Sequence, residues 1–270
     1  MFPLARNDFP SSIEELVTGI SDALAEVLTL PKPGSAVTAS GSFPNVKQLR
    51  INLDGASVNV KEPPPKPTPV GKREPGIEVD QLEVSGHPIK YEQSRLDLDL
   101  KARGVKLDFA RDANKKPLLV LSDAREGRVE AKMSRTDIEA AVKSIAGTVA
   151  KQHGINLQDL TLTLTSESDR SVAVEVRVKA KKMIMSGVIH VKGRLDLDDD
   201  LNATVSGLSA SGEGVIGTMA SGMLQSKLKV YEGKKFPLMA FSLGDTTLRN
   251  LNISAKGPNL QVTAAFGSKA

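Results

Sequence analysis

The sequence predicts a β-dominated α+β fold, with a large curved antiparallel sheet that is wet on one side and carries a few helices on its apolar side. Three observations point there. The first is apolar–polar alternation at every second residue. Leu96, Leu98, Leu100 and Ala102 alternate with Asp97, Asp99, Lys101 and Arg103. Leu160, Leu162 and Leu164 alternate with threonines, and Val172, Val174, Val176, Val178 and Ala180 alternate with Ala173, Glu175, Arg177 and Lys179. Leu260, Val262, Ala264 and Phe266 repeat the pattern near the end. A period of two places one strand face on an apolar interior and the other in water. The second observation is the small number of segments with 3.6-residue periodicity. The third is that strand-like runs follow one another through short turns, which favours antiparallel pairing.

The first element is a helix. Ser12 and Glu15 form an S-x-x-E capping box, Ile13, Leu16, Val17, Ile20, Leu24, Val27 and Leu28 follow at helical spacing, and Pro31 ends the run. Its opposite face carries Glu14, Glu15, Asp22 and Glu26. Membrane-surface helices prefer Lys and Arg there, so this helix is expected to lie against the sheet. Residues 37–60 read as a hairpin, with Leu49, Ile51 and Leu53, a turn at Gly55, then Val58 and Val60. Pro63, Pro64, Pro65, Pro67, Pro69 and Pro75 make 61–76 a Pro-rich loop, an extended connector that includes a P-x-x-P pattern from Pro64 to Pro67. Leu96, Leu98, Leu100, Val105 and Leu107 repeat the spacing of the first hairpin, and Leu251, Ile253, Ala255, Leu260 and Val262 echo it.

The middle helix has Ser134 as N-cap, Asp137 at N3, an apolar stripe of Ile138, Ala141, Val142, Ile145, Ala146 and Val149, and Gly154 as its stop. Leu160 to Leu208 reads as consecutive strands. A third helix spans about Gly214 to Leu228, with Val215, Met219, Met223 and Leu224 on one side. The organisation is thus a single domain: 1–60 as helix and first hairpin, 61–76 as loop, and 77–270 as the main curved-sheet domain.

Composition narrows the function. Of 270 residues 40% are hydrophobic and 25% charged, while only 3% are aromatic, with no Trp and two Tyr. The apolar face is therefore aliphatic. It suits alkyl chains and offers few flat π-faces for bases or sugars. The net charge of +4 is mildly basic, with clusters at Lys66–Arg73 and at Lys179, Lys181 and Lys182. No nucleic-acid motif accompanies this charge, so contact with an anionic membrane surface is the functional reading and a solvated basic surface the plain one. Cysteine is absent, which excludes disulfides and thiol catalysis. No signal peptide is visible and no stretch nears the ~18 apolar residues of a span, so the expected location is cytoplasmic or peripheral to a membrane.

No catalytic or metal constellation emerges. Gly212, Gly214 and Gly217 spell G-x-G-x-x-G, but the preceding strand alternates where a dinucleotide-binding strand would be continuously apolar. A strand-to-helix turn is the better account. Asp196, Asp198, Asp200 and Asn202 resemble the start of a calcium loop, yet the sixth and twelfth positions hold Leu201 and Gly207. His87, His153 and His190 are far apart and show no metal-ligand spacing. No enzyme, cofactor or metal is expected.

Several short segments resemble a known family. Phe236-Pro237-Leu238, Phe241-Ser242-Leu243, Leu251-Asn252-Ile253 and Gly257 through Thr263 look like the ending of bacterial domain-of-unknown-function proteins similar to the mycobacterial lipomannan-elongation factor. Gly127 through Ile138 resembles their strand leading into a helix, and Phe43-Pro44 their entry to a hairpin. That family is assigned to the tubular lipid-binding (TULIP) superfamily. The resemblance implies a long, highly curved antiparallel sheet wrapped around a helix, with further flanking helices, enclosing a lipid-sized apolar groove. It brings no catalytic residues. The Pro-rich segment and the lack of a visible signal sequence depart from the family pattern.

Two functions follow. The first is non-catalytic binding or transfer of a lipid or other acyl-chain ligand, lined by Ile138, Ala141, Val142, Ile145 and Val149 of the middle helix and by Met183, Met185, Met219 and Met223, whose thioethers adapt to varied ligands. The second is a structural scaffold with a filled core and the Pro-rich segment as partner site. Sheet edges leave a homodimer open.

Overall fold

The structure is a computed structural model that describes residues 2–59, 67–91, 93–152, 155–182, 185–198, 202–237 and 248–268. Val60, residues 61–66 of the Pro-rich segment, His153, Gly154, Met183, Asp200, Leu201, Leu238 and Phe241-Ser242-Leu243 lie outside these residues. The fold is β-dominated with three α-helices among the described residues, as the alternation predicts. It forms two sheets, and the chain divides into two compact units. Unit 1 comprises 1–131, 241–250 and 263–270, and unit 2 comprises 132–240 and 251–262.

Unit 1 begins with β1 (Phe2–Pro3), α1 (Ile13–Val27) and β2 (Leu28–Thr29). Ser12 Oγ accepts the Glu15 N–H at 3.2 Å, as the capping box requires. The Glu15 carboxylate reaches one residue further back than that motif implies. It accepts the Ser11 N–H at 2.7 Å and the Ser11 hydroxyl at 2.9 Å, and pairs with Arg6 at 3.1 Å. The Ser11 backbone bond, then the Ser11 hydroxyl and Arg6, hold its pKa down at about 2. Leu16, Ile20 and Leu24 enter the unit's core, so this helix lies against the sheet as expected.

The strands that follow are β3 (Val37–Ser42), β4 (Asn45–Asn52), β5 (Ser57–Val58), β6 (Val70–Tyr91), β7 (Ser94–Arg111) and β8 (Pro117–Ser134). β6 has 22 residues, about 70 Å of extended chain at ~3.3 Å per residue. Its antiparallel register with β7 matches like with like. Val79 faces Val105, Leu82 faces Ala102 and Val84 faces Leu100, while Glu83 faces Lys101 and Glu78 faces Lys106 on the other side. The core gathers Val46, Leu49, Ile51, Val79, Val105 and Phe109 under α1.

Three details depart from the sequence expectations. Leu49 and Ile51 belong to a hairpin, but their partner is β3, whereas Val58 pairs with Leu28 of β2. The sheet is mixed, because β4 runs parallel to β6, with Leu49 opposite Leu82 and Ile51 opposite Val84. The chain between them, residues 53–69, is long enough for the crossover that a parallel pair needs. The second hairpin copy is instead one continuous strand, β7. Gly104 lies at φ +56° within it, and pairing with β6 carries the strand through the predicted turn. β6 also starts at Val70, inside the segment read as loop. Pro75 is accommodated there because the register shifts on either side of it.

Unit 2 contains α2 (Arg135–Gln152), β9 (Asn156–Ser168), β10 (Ser171–Lys182), β11 (Met185–Leu197), β12 (Asn202–Glu213), α3 (Gly214–Leu228) and β13 (Lys235–Pro237). Its sheet runs in the order β13-β12-β11-β10-β9, all antiparallel. Ser134 caps α2: its Oγ accepts the Asp137 N–H at 3.0 Å, and its hydroxyl donates to the buried Asp137 carboxylate. The final hairpin, β14 (Leu248–Lys256) and β15 (Asn259–Phe266), turns at Gly257, φ +59°. Arg135 N–H, at the head of α2, donates to Pro258 O at 2.6 Å.

Substituting Ser12→Ala removes the α1 cap and is expected to lower stability by about 1 kcal/mol. Urea denaturation, compared with the exposed-site control Ser40→Ala, measures it.

Candidate functional site

The apolar face of the five-stranded sheet is assembled rung by rung from the alternating residues. The first rung is Leu160, Val178, Ile189 and Gly212, and the second is Leu162, Val176, Val191 and Ala210. Leu164, Val174 and Gly193 form the third. The opposite face carries Thr163, Glu175 and Lys192, then Thr165, Ala173 and Arg194.

Both helices of unit 2 use the apolar face. Leu160, Val178 and Ile189 are buried together, with Val142 of α2 and Ala220 and Leu224 of α3 packed on them. α2 lies against β9, and α3 lies against β11 and β12. Glu139 of α2 accepts the Leu162 N–H on edge strand β9 at 2.7 Å, which satisfies a donor that the sheet leaves unpaired. Gln225 of α3 accepts the Ala210 N–H at 2.6 Å. Along the second and third rungs the central side chains Val174, Val176 and Val191, with Leu164 beside them, stay half-buried. Val176 and Val191 pack beside the buried cluster that Val142 of α2 and Ala220 and Leu224 of α3 cover.

The G-x-G-x-x-G segment has a packing role. A Cβ on Gly212 would collide with Gly217 O, one on Gly187 with Gly217 N, and one on Gly217 with Val188 O. Glycine on both surfaces lets the α3 backbone rest directly on β11 and β12. Gly214, at φ +73°, turns the strand into the helix. This agrees with the strand-to-helix turn read from the sequence and adds its reason.

The acidic segment is internally satisfied where it is described. Asp196 accepts from Ser171 Oγ at 2.7 Å, Arg194 Nε at 2.8 Å and Ser206 Oγ at 3.1 Å. Burial pushes its pKa up, but these hydrogen bonds outweigh burial and the net direction is down. Asp198 accepts from Asn202 N and Nδ2, and these bonds, with Lys235 at 3.4 Å, lower its pKa. Among the described residues no cluster of His, Asp or Glu could hold a metal ion. An open hollow of about 450 Å³ lies on the polar face beside Thr163, Glu175, Lys192, Arg194 and Ser206. Its charges are already matched, Lys192 to Glu175 at 3.5 Å and Arg194 to Asp196 at 2.8 Å, so it shows no preference for an ion of either sign.

In unit 1, His87 Nε2 meets Asp99 at 2.8 Å, and its backbone N–H donates to Asp54 Oδ1 at 2.8 Å. The Asp99 hydrogen bond, aided by the charges of Asp99, Asp54 and Asp97 and opposed by partial burial, raises its pKa. His190 lies between Glu175 at 3.7 Å and Glu213 at 3.6 Å.

The structure separates the predicted lining residues. Val142 packs on the apolar face and Ile138 is half-buried near the start of α2. Met219 and Met223 point away from the sheet and are 65% and 63% exposed, while Leu224, predicted on their side, packs inward. The side chains of Ala141, Ile145, Val149 and Met185 lie outside the described residues, as does Met183. Sequence reading did not single out Val174, Val176 and Val191 as the half-buried centre of this face. The alternation of the β10 valines was visible, but which helix side chains meet it was not.

Comparison of the chain with protein-family models, with curated proteins and with solved structures found no match.

Gly217→Ala is expected to push α3 off β11 and lower the stability of unit 2 by about 2 kcal/mol, as overpacking does. Hydrogen exchange resolves the effect, with faster exchange in β11 and β12 and unchanged exchange in β6 and β7. For His87, the raised pKa means that its contribution to stability is full below the ordinary imidazole value and is lost as pH rises through the folded value. NMR titration is expected to place His87 above the ordinary imidazole range, and Asp99→Asn to bring it down.

Proposed function

We propose that this protein binds an acyl-chain lipid, without catalysis, in a trough over the apolar face of unit 2. The observation that carries the reading is the half-buried aliphatic floor of Val174, Val176 and Val191, beside the cluster on which Val142 of α2 and Ala220 and Leu224 of α3 pack. Aliphatic side chains with no aromatic or unmatched charge among them suit a saturated chain and little else. The resemblance to the tubular lipid-binding superfamily agrees with this use, and in that reading the sheet curves around α2.

Magnitudes assign α2 its part. Burying an acyl chain of about 14 carbons completely gains about 11 kcal/mol, at ~0.8 kcal/mol per CH₂. A chain lying in an open trough buries one side and gains about half of that, which is the scale of the association cost alone. Firm retention therefore requires α2 to cover the chain through Ile138 and Val142. The Glu139–Leu162 bond anchors the start of that cover to the sheet.

The test is uptake of a fluorescent fatty acid, with native mass spectrometry of the purified protein and of its lipid extract. Wild type is expected to carry or take up one acyl ligand. Val174→Phe and Val191→Phe are expected to lower affinity about tenfold, the equivalent of losing contact with roughly two methylenes. Lys192→Ala, on the opposite face, is expected to leave affinity unchanged. Wild type that carries no lipid and takes up none would sink the reading and leave a scaffold with a filled core.

A further inference from the structure

The outer face of α3 carries an uncovered apolar strip, flanked by exposed Thr218, Gly222 and Ser226. Val215, Met219 and Met223 recur every fourth residue and are 61%, 65% and 63% exposed. Val230 and Tyr231 follow at 68% and 50%. Five of the seven large apolar side chains that stand exposed among the described residues thus fall within one 17-residue stretch. Solvent normally meets such residues singly, and a contiguous strip marks a surface that something else covers.

The surroundings of the strip identify what covers it. Lys227 continues the same four-residue spacing, one turn beyond Met223, and Lys229, Lys234 and Lys235 follow. From Gly214 to Lys235 there are four lysines and a single acidic residue, Glu232. The Glu232 carboxylate turns back to accept the Gly207 and Leu208 N–H groups at 2.8 and 2.7 Å. Lys234 Nζ stands 5.4 Å from the Tyr231 ring centre, which sets a cation at the tyrosine. Lys235 is shared with Asp198 at 3.4 Å. The inner side of the helix is already occupied, because Gly217, Ile216 and Ser221 are buried and Leu224 packs on the sheet.

We infer that α3 docks unit 2 onto an anionic lipid bilayer, laying Val215, Met219 and Met223 among the upper acyl chains with the lysines at the phosphates. A helix apolar on both sides needs two apolar neighbours, and here the sheet supplies one and the membrane the other. Unbranched methionines insert into fluid chains without a shaped pocket. A lysine on the same strip can run its methylenes along the apolar layer and hold its ammonium in the head-group region. Tyr231 sits at that boundary level, where an apolar ring with a polar tip is favoured. A specific protein partner would be expected to use aromatic or arginine anchors, and the strip from Val215 to Met223 has neither. This inference stands apart from the trough, since the docking residues face away from it.

Flotation with vesicles tests it, using phosphatidylcholine alone or mixed with about one-third phosphatidylglycerol. Wild type is expected to float with the mixed vesicles, more weakly with the neutral ones, and less as salt rises. The Met219→Ser/Met223→Ser variant is expected to bind about tenfold more weakly to both vesicle types. Lys227→Glu/Lys229→Glu is expected to lose the preference for anionic vesicles. Neither variant touches the buried side of α3, and circular dichroism checks that each stays folded. Fatty-acid uptake is expected to be unchanged in both, which separates docking from ligand binding. Wild type that floats with neither vesicle would overturn the inference. So would a methionine variant that floats like wild type, or a wild-type dimer that the methionine variant turns monomeric.

Discussion

Direct backbone contact between α3 and the strands beneath it sets the arrangement of unit 2. Gly187, Gly212 and Gly217 leave no room for a Cβ, so the helix backbone rests directly on β11 and β12. That contact fixes the rotation of α3. Ile216 and Leu224 face the sheet, and Met219 and Met223 must then face outward. It also keeps α3 over β11 and β12, with Leu224 and Ala220 reaching the cluster around Val178 of β10. The outward strip of α3 follows from that packing.

Unit 1 handles the same requirement differently. Its strands also present one aliphatic face, but α1 delivers Leu16, Ile20 and Leu24 onto it, with Leu4, Phe109 and Phe266 in the same core. Phe266 even takes the place of a side chain at Gly127, its ring lying where a Cβ would be. Leu82, Val84, Leu100 and Leu107 are half-buried against that core, as Val176 and Val191 are against the cluster of unit 2.

The polar faces carry matched charge. Arg50 pairs with Glu83 at 2.9 Å, Arg194 with Asp196 at 2.8 Å and Lys192 with Glu175 at 3.5 Å, all cross-strand or near neighbours. These are exposed pairs, each worth little to stability. Their consequence is for function, since they leave the polar hollow of unit 2 without a net field. Lysines meet exposed apolar side chains at the end of α3.

Much of this was readable from local pattern. Ser12 and Ser134 cap their helices as their spacing requires, and the span of α3 from Gly214 to Leu228 follows from its periodicity. The strands of unit 2 follow the valine and leucine alternation. Periodicity and capping are properties of neighbouring residues, so the sequence by itself determined the helix caps and the apolar faces of the unit 2 strands. Long-range choices were not readable. Leu49 could pair with Val58 through a short turn or with Ala39 and Leu82, and the sum of contacts across the sheet chose the latter two. Gly104 reads as a turn until β6 supplies a partner on both sides of it. Met219 and Leu224 both belong to an apolar helix, and only the glycine contact with β11 decides that one faces water and the other the core. Tertiary structure decided which apolar residues are left uncovered, because coverage depends on where distant elements meet and no local period encodes that.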